Sequence, residues 1–192
     1  MIFMFESLKG EEFWKIARRY FVLNGFDGIL TVLGITAGSF STGVGDPKVL
    51  ITSSLGAAIA LGVSGISGSY ITEKAERLKQ FKELQKDMLS DLEGSIHKKN
   101  VTQRSIAISI VNGASPFLCA FLSTVPYFLP LFGFGTMRIA YYASAGVGLT
   151  LLGLLGAFLG KISQESLIIF GLKMVGVGIL TATLSLTLGI GG

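Results

Sequence analysis

The apolar residues of this chain fall into long blocks, not into the shorter amphipathic patterns typical of a soluble domain. A helix needs about 20 mostly apolar residues to cross the roughly 30 Å hydrocarbon layer of a membrane. Five blocks are long enough, and we predict a transmembrane helix at each: residues 20–44, 49–71, 106–125, 139–160 and 167–190. The predicted fold is therefore an all-α, polytopic membrane protein in which residues 1–192 form a single transmembrane domain.

Two polar segments outside these blocks also show helical patterns. Residues 1–19 mix Leu8, Trp14 and Ile16 with charged residues, which is typical of an amphipathic helix in the membrane interface. Residues 73–104 form the link between spans two and three, which we predict as a cytoplasmic helical segment because residues 73–93 carry apolar side chains at three- and four-residue spacing.

The basic residues predict the orientation of the chain in the membrane. They concentrate before span one, in the 73–104 segment and in the short link between spans four and five, whereas the other links carry few charges. Because cytoplasmic loops are enriched in Lys and Arg, we expect the N-terminus in the cytoplasm and the C-terminus outside. The membrane would be the plasma membrane in a prokaryote or a vacuolar-type membrane in a eukaryote.

Composition narrows the possible functions. Half of the residues are hydrophobic, the mean hydropathy is +0.65, and only 15% are charged, against about 25% in ordinary soluble chains. The single cysteine, Cys119, and the single histidine, His97, argue against a disulfide, a zinc site or an iron–sulfur cluster. No nucleophile–base pair or phosphate-binding loop is visible, so we expect no enzymatic activity and no cofactor. The net charge of +4 reflects membrane orientation, so we expect no nucleic-acid partner.

Asp27 is the most informative polar residue, because it lies about seven residues inside span one. An acid at membrane depth is costly and usually faces a cavity, a partner or an ion path. Thr31 follows it by one helical turn. The alternative is that Asp27 lies among the lipid headgroups and pairs with Lys15 or Arg19.

A stripe of carboxylates runs along one face of the cytoplasmic segment, formed by Glu73, Glu76, Glu83, Asp87 and Asp91. Like charges four residues apart repel by a few tenths of a kcal/mol. A divalent cation would remove that repulsion, since such cations accept carboxylate oxygens. The alternative is a solvated helix face whose repulsion is screened by neighbouring lysines.

Span three contains Asn112, Ser115 and Pro116, which we expect to interrupt the helix and expose carbonyls that line a cavity. Small residues also recur at four-residue spacing, as at Gly34 and Gly38. Such stripes allow helices to approach closely, either within one chain or between two copies.

Four short segments, in the same order along the chain, resemble the vacuolar iron transporter family, which includes the nodulin-21-like proteins. They are FDGILTV at 26–32 with AG at 37–38, GSYI at 68–71 followed by KAE at 74–76, VPYFL at 125–129 and GLKM at 171–174. The resemblance implies a five-span homodimer that moves iron(II) or manganese(II) out of the cytosol in exchange for protons.

By the same resemblance, Asp27 lines the transport path, and Glu76, Glu83 and Asp87 collect metal at the cytoplasmic entrance. From their positions in spans one and three, we also predict Thr31 and Asn112 as path residues. The chain departs from the family at two positions in span two: Gly65 stands where a path methionine is found, and Ala57 where a glutamate is found. It also lacks the separate glutamate-rich helices between spans two and three. It resembles a compact, divergent member.

Two other functions remain open at this point. One is a non-transporting membrane protein of the same fold that acts through its cytoplasmic helix. The other is a transporter of a different small solute.

Overall fold

The computed structural model describes residues 11–88 and 96–190, and in this part of the chain all regular structure is helical. Five long helices dominate: α1 (Glu11–Ser41), α2 (Pro47–Met88), α3 (Ile96–Thr124), α5 (Met137–Ser163) and α6 (Leu167–Ile190). A 3-10 turn (Val125–Tyr127) and the short α4 (Phe128–Leu131) follow α3. Each long helix contains a segment long and apolar enough to span a membrane. The predicted all-α fold with five spans is confirmed.

The two polar segments continue the membrane helices. α1 starts at Glu11 and runs without a break into span one, because no glycine or proline interrupts it before Gly25. The expected interfacial helix at 1–19 is thus part of α1 from Glu11 onward, and residues 1–10 lie outside the described residues. α2 likewise extends from span two to Met88, and its 42 residues correspond to about 63 Å at 1.5 Å per residue.

The helix α1 occupies the centre of the bundle and packs against α2, α3, α5 and α6. Its inner face includes Ile29 and Leu33, which are buried against Leu152 and Leu155 of α5 and against Cys119 of α3. Elsewhere the helices meet through glycine. Gly113 of α3 lies against α2, and Gly156 of α5 lies against the start of α6. Such close approaches supply van der Waals contact in lipid, where apolar burial alone gives no driving force.

The α3 helix continues through Pro116, so the predicted interruption of span three is wrong. Proline removes only the N–H that would bond the Asn112 carbonyl, and neighbouring helices can compensate inside a membrane bundle. At this level the backbone of α3 lies directly against α1 on one side and α2 on the other.

Basic residues cluster at one end of the bundle. At one end, Lys15, Arg18 and Arg19 of α1 lie near the end of α5 and the start of α6. We call this the basic end. At the opposite end the Tyr141 hydroxyl donates to the Val44 carbonyl at 2.6 Å and joins α5 to the α1–α2 link.

Candidate functional site

Asp27 lies on the outer face of α1. The next residue, Gly28, is buried against Pro116 of α3, whereas the Asp27 side chain is exposed on the surface of the single chain. Among the described residues, no hydrogen bond or ion pair to the Asp27 carboxylate is found. Asp27 is also close to the middle of the span Trp14–Ser41.

The helical rise separates Asp27 from the basic residues proposed as alternative partners. Arg19 is about 12 Å and Lys15 about 18 Å away along the helix axis. The Arg19 guanidinium instead lies 5.5 Å from the centre of the Tyr20 ring. Tyr20 itself is about 10 Å from Asp27 along the axis, so the carboxylate lies well below the level of the interfacial residues.

Small and hydroxyl-bearing side chains continue the outer face of α1 beyond Asp27. The Thr31 hydroxyl donates to the Asp27 backbone carbonyl at 2.8 Å, which leaves its oxygen lone pairs available. One turn further, a Cβ at Gly34 would lie 3.5 Å from Ser185 Oγ of α6, and at Gly38 it would meet nothing within 4 Å. This face of α1 is therefore shallow. It borders α6 at Gly34 and has open space at Gly38.

An amide bridge joins α1, α2 and α3 one turn from Asp27. Asn24 donates through Nδ2 to the Tyr20 carbonyl at 2.9 Å and to Asn112 Oδ1. Asn112 in turn donates through its own Nδ2 to the Gly65 carbonyl at 3.1 Å. The bridge ends on two backbone carbonyls, those of Tyr20 and Gly65. Because a carbonyl can only accept, each must face the NH₂ group of an Asn side chain, and this fixes the orientation of both amides.

The bridge gives Asn112 a structural role. Both ends of its amide are engaged in holding three helices together, and its place in the transport path stays a prediction. The partner Asn24 was missed by the sequence analysis, although an amide one turn before an intramembrane acid is a signal of the same kind. The side-chain oxygen Oδ1 of Asn24, on the half-exposed edge of the bridge, accepts no hydrogen bond among the described residues.

The structure describes the acidic stripe of α2 only in part. Glu73 accepts a hydrogen bond from the Tyr20 hydroxyl at 3.3 Å, and the Arg77 guanidinium lies 3.4 Å from its other oxygen. Glu76 and Glu83 are exposed. Asp87 belongs to α2, but the structure does not describe its side chain. Asp91 lies outside the described residues.

The acids whose side chains the structure describes do not form a closed metal site in one chain. Among residues 11–88 and 96–190 no three His, Cys, Asp or Glu side chains come together in a way that could hold a metal ion. Asp27 and the exposed glutamates are therefore separate features of a single chain.

A second polar cluster, which the sequence analysis missed, lies buried at the end opposite the basic end. The Tyr127 hydroxyl donates to Thr36 Oγ1 at 2.9 Å, Thr36 lies 3.3 Å from Ser144 Oγ, and Ser144 donates to the Ser123 carbonyl at 2.7 Å. The cluster ties α1, α3 and α5 together, and the VPYFL segment was its only signal in the sequence.

Comparison with known proteins identifies the family. The family model for the VIT family matches residues 73–190. An uncharacterised protein from Methanocaldococcus jannaschii is 34% identical over 169 residues, which cover 86% of this chain and 85% of that protein. The chain belongs to the vacuolar iron transporter (VIT) family. It is thus a member of a family of membrane transporters of metal ions, and the resemblance seen in its short motifs is confirmed.

The VIT family match begins at Glu73, so it does not include the helix that carries Asp27. The role of Asp27 accordingly depends on the geometry described above.

The structure also explains why residue 65 is a glycine. A Cβ at Gly65 would lie 2.9 Å from the Gly113 Cα and 3.0 Å from the Asn112 carbonyl oxygen. A methionine here would press into α3 and disturb the amide bridge, because the Gly65 carbonyl accepts from both Asn112 and Ser69. The close contact between α2 and α3 therefore requires glycine at this position.

Proposed function

We propose that this protein is a homodimeric transporter that exports a divalent metal cation, iron(II) or manganese(II), from the cytosol in exchange for protons. The observation that carries this proposal is the exposed Asp27 carboxylate on the outer face of α1, in the middle of a span and without a partner among the described residues. Facing lipid, an ionised carboxylate at this depth would cost several kcal/mol.

A second copy of the chain would remove that cost. Thr31, Gly34 and Gly38 continue the face that carries Asp27, and small side chains of this kind allow two helices to approach closely. A two-fold axis near this face would bring the Asp27 carboxylates of two copies towards each other, since such an interface uses the same surface twice. The dimer would then enclose two acids, where one chain offers only one.

Two facing carboxylates suit a divalent cation and also favour proton exchange. A bound divalent metal neutralises both charges, and carboxylate oxygens are ligands for manganese and iron(II). When the metal leaves, two unpaired carboxylates in a low-dielectric site repel each other and gain protons. Metal release would therefore be coupled to proton uptake, which is the reaction of an antiporter.

The acidic stripe would collect metal at the cytoplasmic entrance. Glu83 is exposed on the part of α2 beyond the candidate span Pro47–Gln80, and Asp87 lies one turn after it. Glu76 is exposed near the end of that span. With the basic end in the cytoplasm, as the distribution of Lys and Arg favours, this extension also lies in the cytosol.

Transport by purified protein in proteoliposomes tests the proposal. We expect uptake of manganese and of anaerobic iron(II), but not of sodium, and we expect uptake to increase when the lumen is more acidic than the outside. Metal uptake that ignores the pH gradient would exclude antiport. No uptake of any metal under either condition would favour a non-transporting membrane protein or a transporter of another solute.

A further inference from the structure

A cleft opens at the basic end between α1, α5 and α6. Its volume is about 480 Å³, and the side chains that line it divide into two kinds. Lys15, Arg18 and Arg19 contribute cationic groups from the start of α1. The remaining lining is apolar and comes from all three helices: Val22, Leu23, Phe26, Leu159, Ile162 and Met174.

The two kinds of side chain are separated along the membrane normal. On α1 the basic residues come first, and Phe26 lies about 10 Å further along the axis than Arg19. The cations are therefore at the level of the lipid headgroups, and the apolar part of the cleft is at the level of the acyl chains. Arg18 and Arg19 are both exposed. The planar guanidinium group of arginine binds phosphate oxygens through paired N–H donors.

From this arrangement we propose that the cleft binds one anionic phospholipid from the leaflet on the basic side. The phosphate group contacts Arg18 and Arg19, with Lys15 at the same rim, and an acyl chain lies against Val22, Leu159 and Met174. Basic pockets between transmembrane helices are suited to acidic lipids, because the cations attract the phosphate of the headgroup and the cleft excludes water from the acyl chain.

The position of the cleft separates this site from a general attraction between basic residues and acidic lipids. Lys161 and Lys173 are exposed at the same end of the bundle and do not line the cleft. The Lys173 ammonium lies 5.1 Å from the centre of the Phe170 ring. They provide a charge-matched control, since each pair of residues carries two positive charges at this end of the bundle.

The test is native mass spectrometry of the detergent-purified, full-length protein, incubated with equal concentrations of phosphatidylglycerol and phosphatidylcholine. We expect the parent to retain phosphatidylglycerol preferentially. A cation near an acidic lipid contributes about fivefold in affinity, so the double variant Arg18→Gln with Arg19→Gln should bind it roughly 30-fold more weakly. Lys161→Gln with Lys173→Gln should retain the parent affinity. Equal losses in the two double variants would overturn the proposal in favour of a diffuse basic surface.

A second pair of variants tests the apolar part without changing any charge. Leu159→Trp should fill the cleft and reduce phosphatidylglycerol retention, whereas Phe158→Trp, on an exposed neighbouring position, should not. Undiminished retention in Leu159→Trp would overturn the placement of the acyl chain. Displacement of the lipid by sodium phosphate at the same concentration would show a free-anion site and would likewise overturn the proposal.

Discussion

Gly28 of α1 lies so close to Pro116 of α3 that a Cβ at residue 28 would overlap the Pro116 carbonyl group. This contact fixes which side of α1 faces the bundle at the depth of Asp27. Because consecutive residues of a helix point about 100° apart, burial of Gly28 against α3 leaves Asp27 on the exposed surface. The geometry of the candidate path thus depends on a backbone contact that contains no charged group.

We predict that Gly28→Ala destabilises the protein. The added methyl group meets backbone atoms that cannot move independently, and overpacking of this kind costs about 1–3 kcal/mol. The thermal unfolding midpoint in detergent should fall. The control is Gly176→Ala, where a Cβ meets nothing within 4 Å, and its midpoint should be unchanged or slightly higher. Equal midpoints in the two variants would contradict the contact.

Asp27→Asn should abolish metal uptake while expression and dimerisation persist. The amide has nearly the same shape as the carboxylate but lacks the charge that attracts the cation, so transport should fall to the level of empty liposomes. Asp46→Asn is the matched control, because it removes the same charge in the α1–α2 link, outside span one. There Asp46 accepts a hydrogen bond from the Lys48 backbone N–H at 2.9 Å. Undiminished uptake in Asp27→Asn would remove this residue from the path.

Gly38→Leu should weaken the proposed homodimer. Gly38 has open space where a side chain would be, on the face of α1 that we assign to the second copy. A leucine there would keep the two helices apart, and the dimer fraction in detergent should fall at low protein concentration. Gly176→Leu on α6 is equally open within one chain and should remain dimeric. If only Gly176→Leu dissociates, the interface involves α6 instead.

Asn112→Leu should lower stability through loss of the amide bridge. The Gly65 carbonyl would lose one of its donors and Asn24 would lose its Asn112 acceptor, and interhelical hydrogen bonds of this kind are worth about 0.6–2 kcal/mol in membrane proteins. The expected result is a lower unfolding midpoint. Ser67→Ala, which removes a hydroxyl that bonds only within its own helix and is exposed, should have no effect. An unchanged midpoint in Asn112→Leu would contradict a stabilising role for the amide bridge.

Metal binding to the cytoplasmic stripe should be weak and should decrease as the pH falls. A protonated carboxylate is no longer a ligand, so affinity is highest where all the acids are ionised and is lost progressively on acidification. Calorimetric titration with manganese should show binding to the parent and none at these sites in the double variant Glu83→Gln with Asp87→Asn. The helix should persist, because the change also relieves like-charge repulsion. Identical heats would show that the stripe is only a solvated face.

The five spans were predictable from the sequence because the length of an apolar block is a local property. Lipid cannot satisfy backbone polar groups, so each block must form a helix regardless of its neighbours. Reasoning from local sequence also explains two predictions that differ from the structure, the interruption of span three at Pro116 and the separate helix before span one. Proline was expected to interrupt span three, but packing in the bundle maintains the helix. The 1–19 segment was separated by its polarity, although nothing in its backbone from Glu11 onward stops the helix.

By itself, the sequence determined the number of spans, their order, the charged segments and the presence of an acid deep in span one. Only the tertiary structure decided that Asp27 is on the outer face, that Asn24 and Asn112 meet although 88 residues apart, and that the basic rim encloses an apolar cleft. The physical reason is that all faces of a membrane helix are apolar, so periodicity does not reveal which face is buried. Orientation is set by close approaches between distant glycines and amides, and these exist only once the helices are packed.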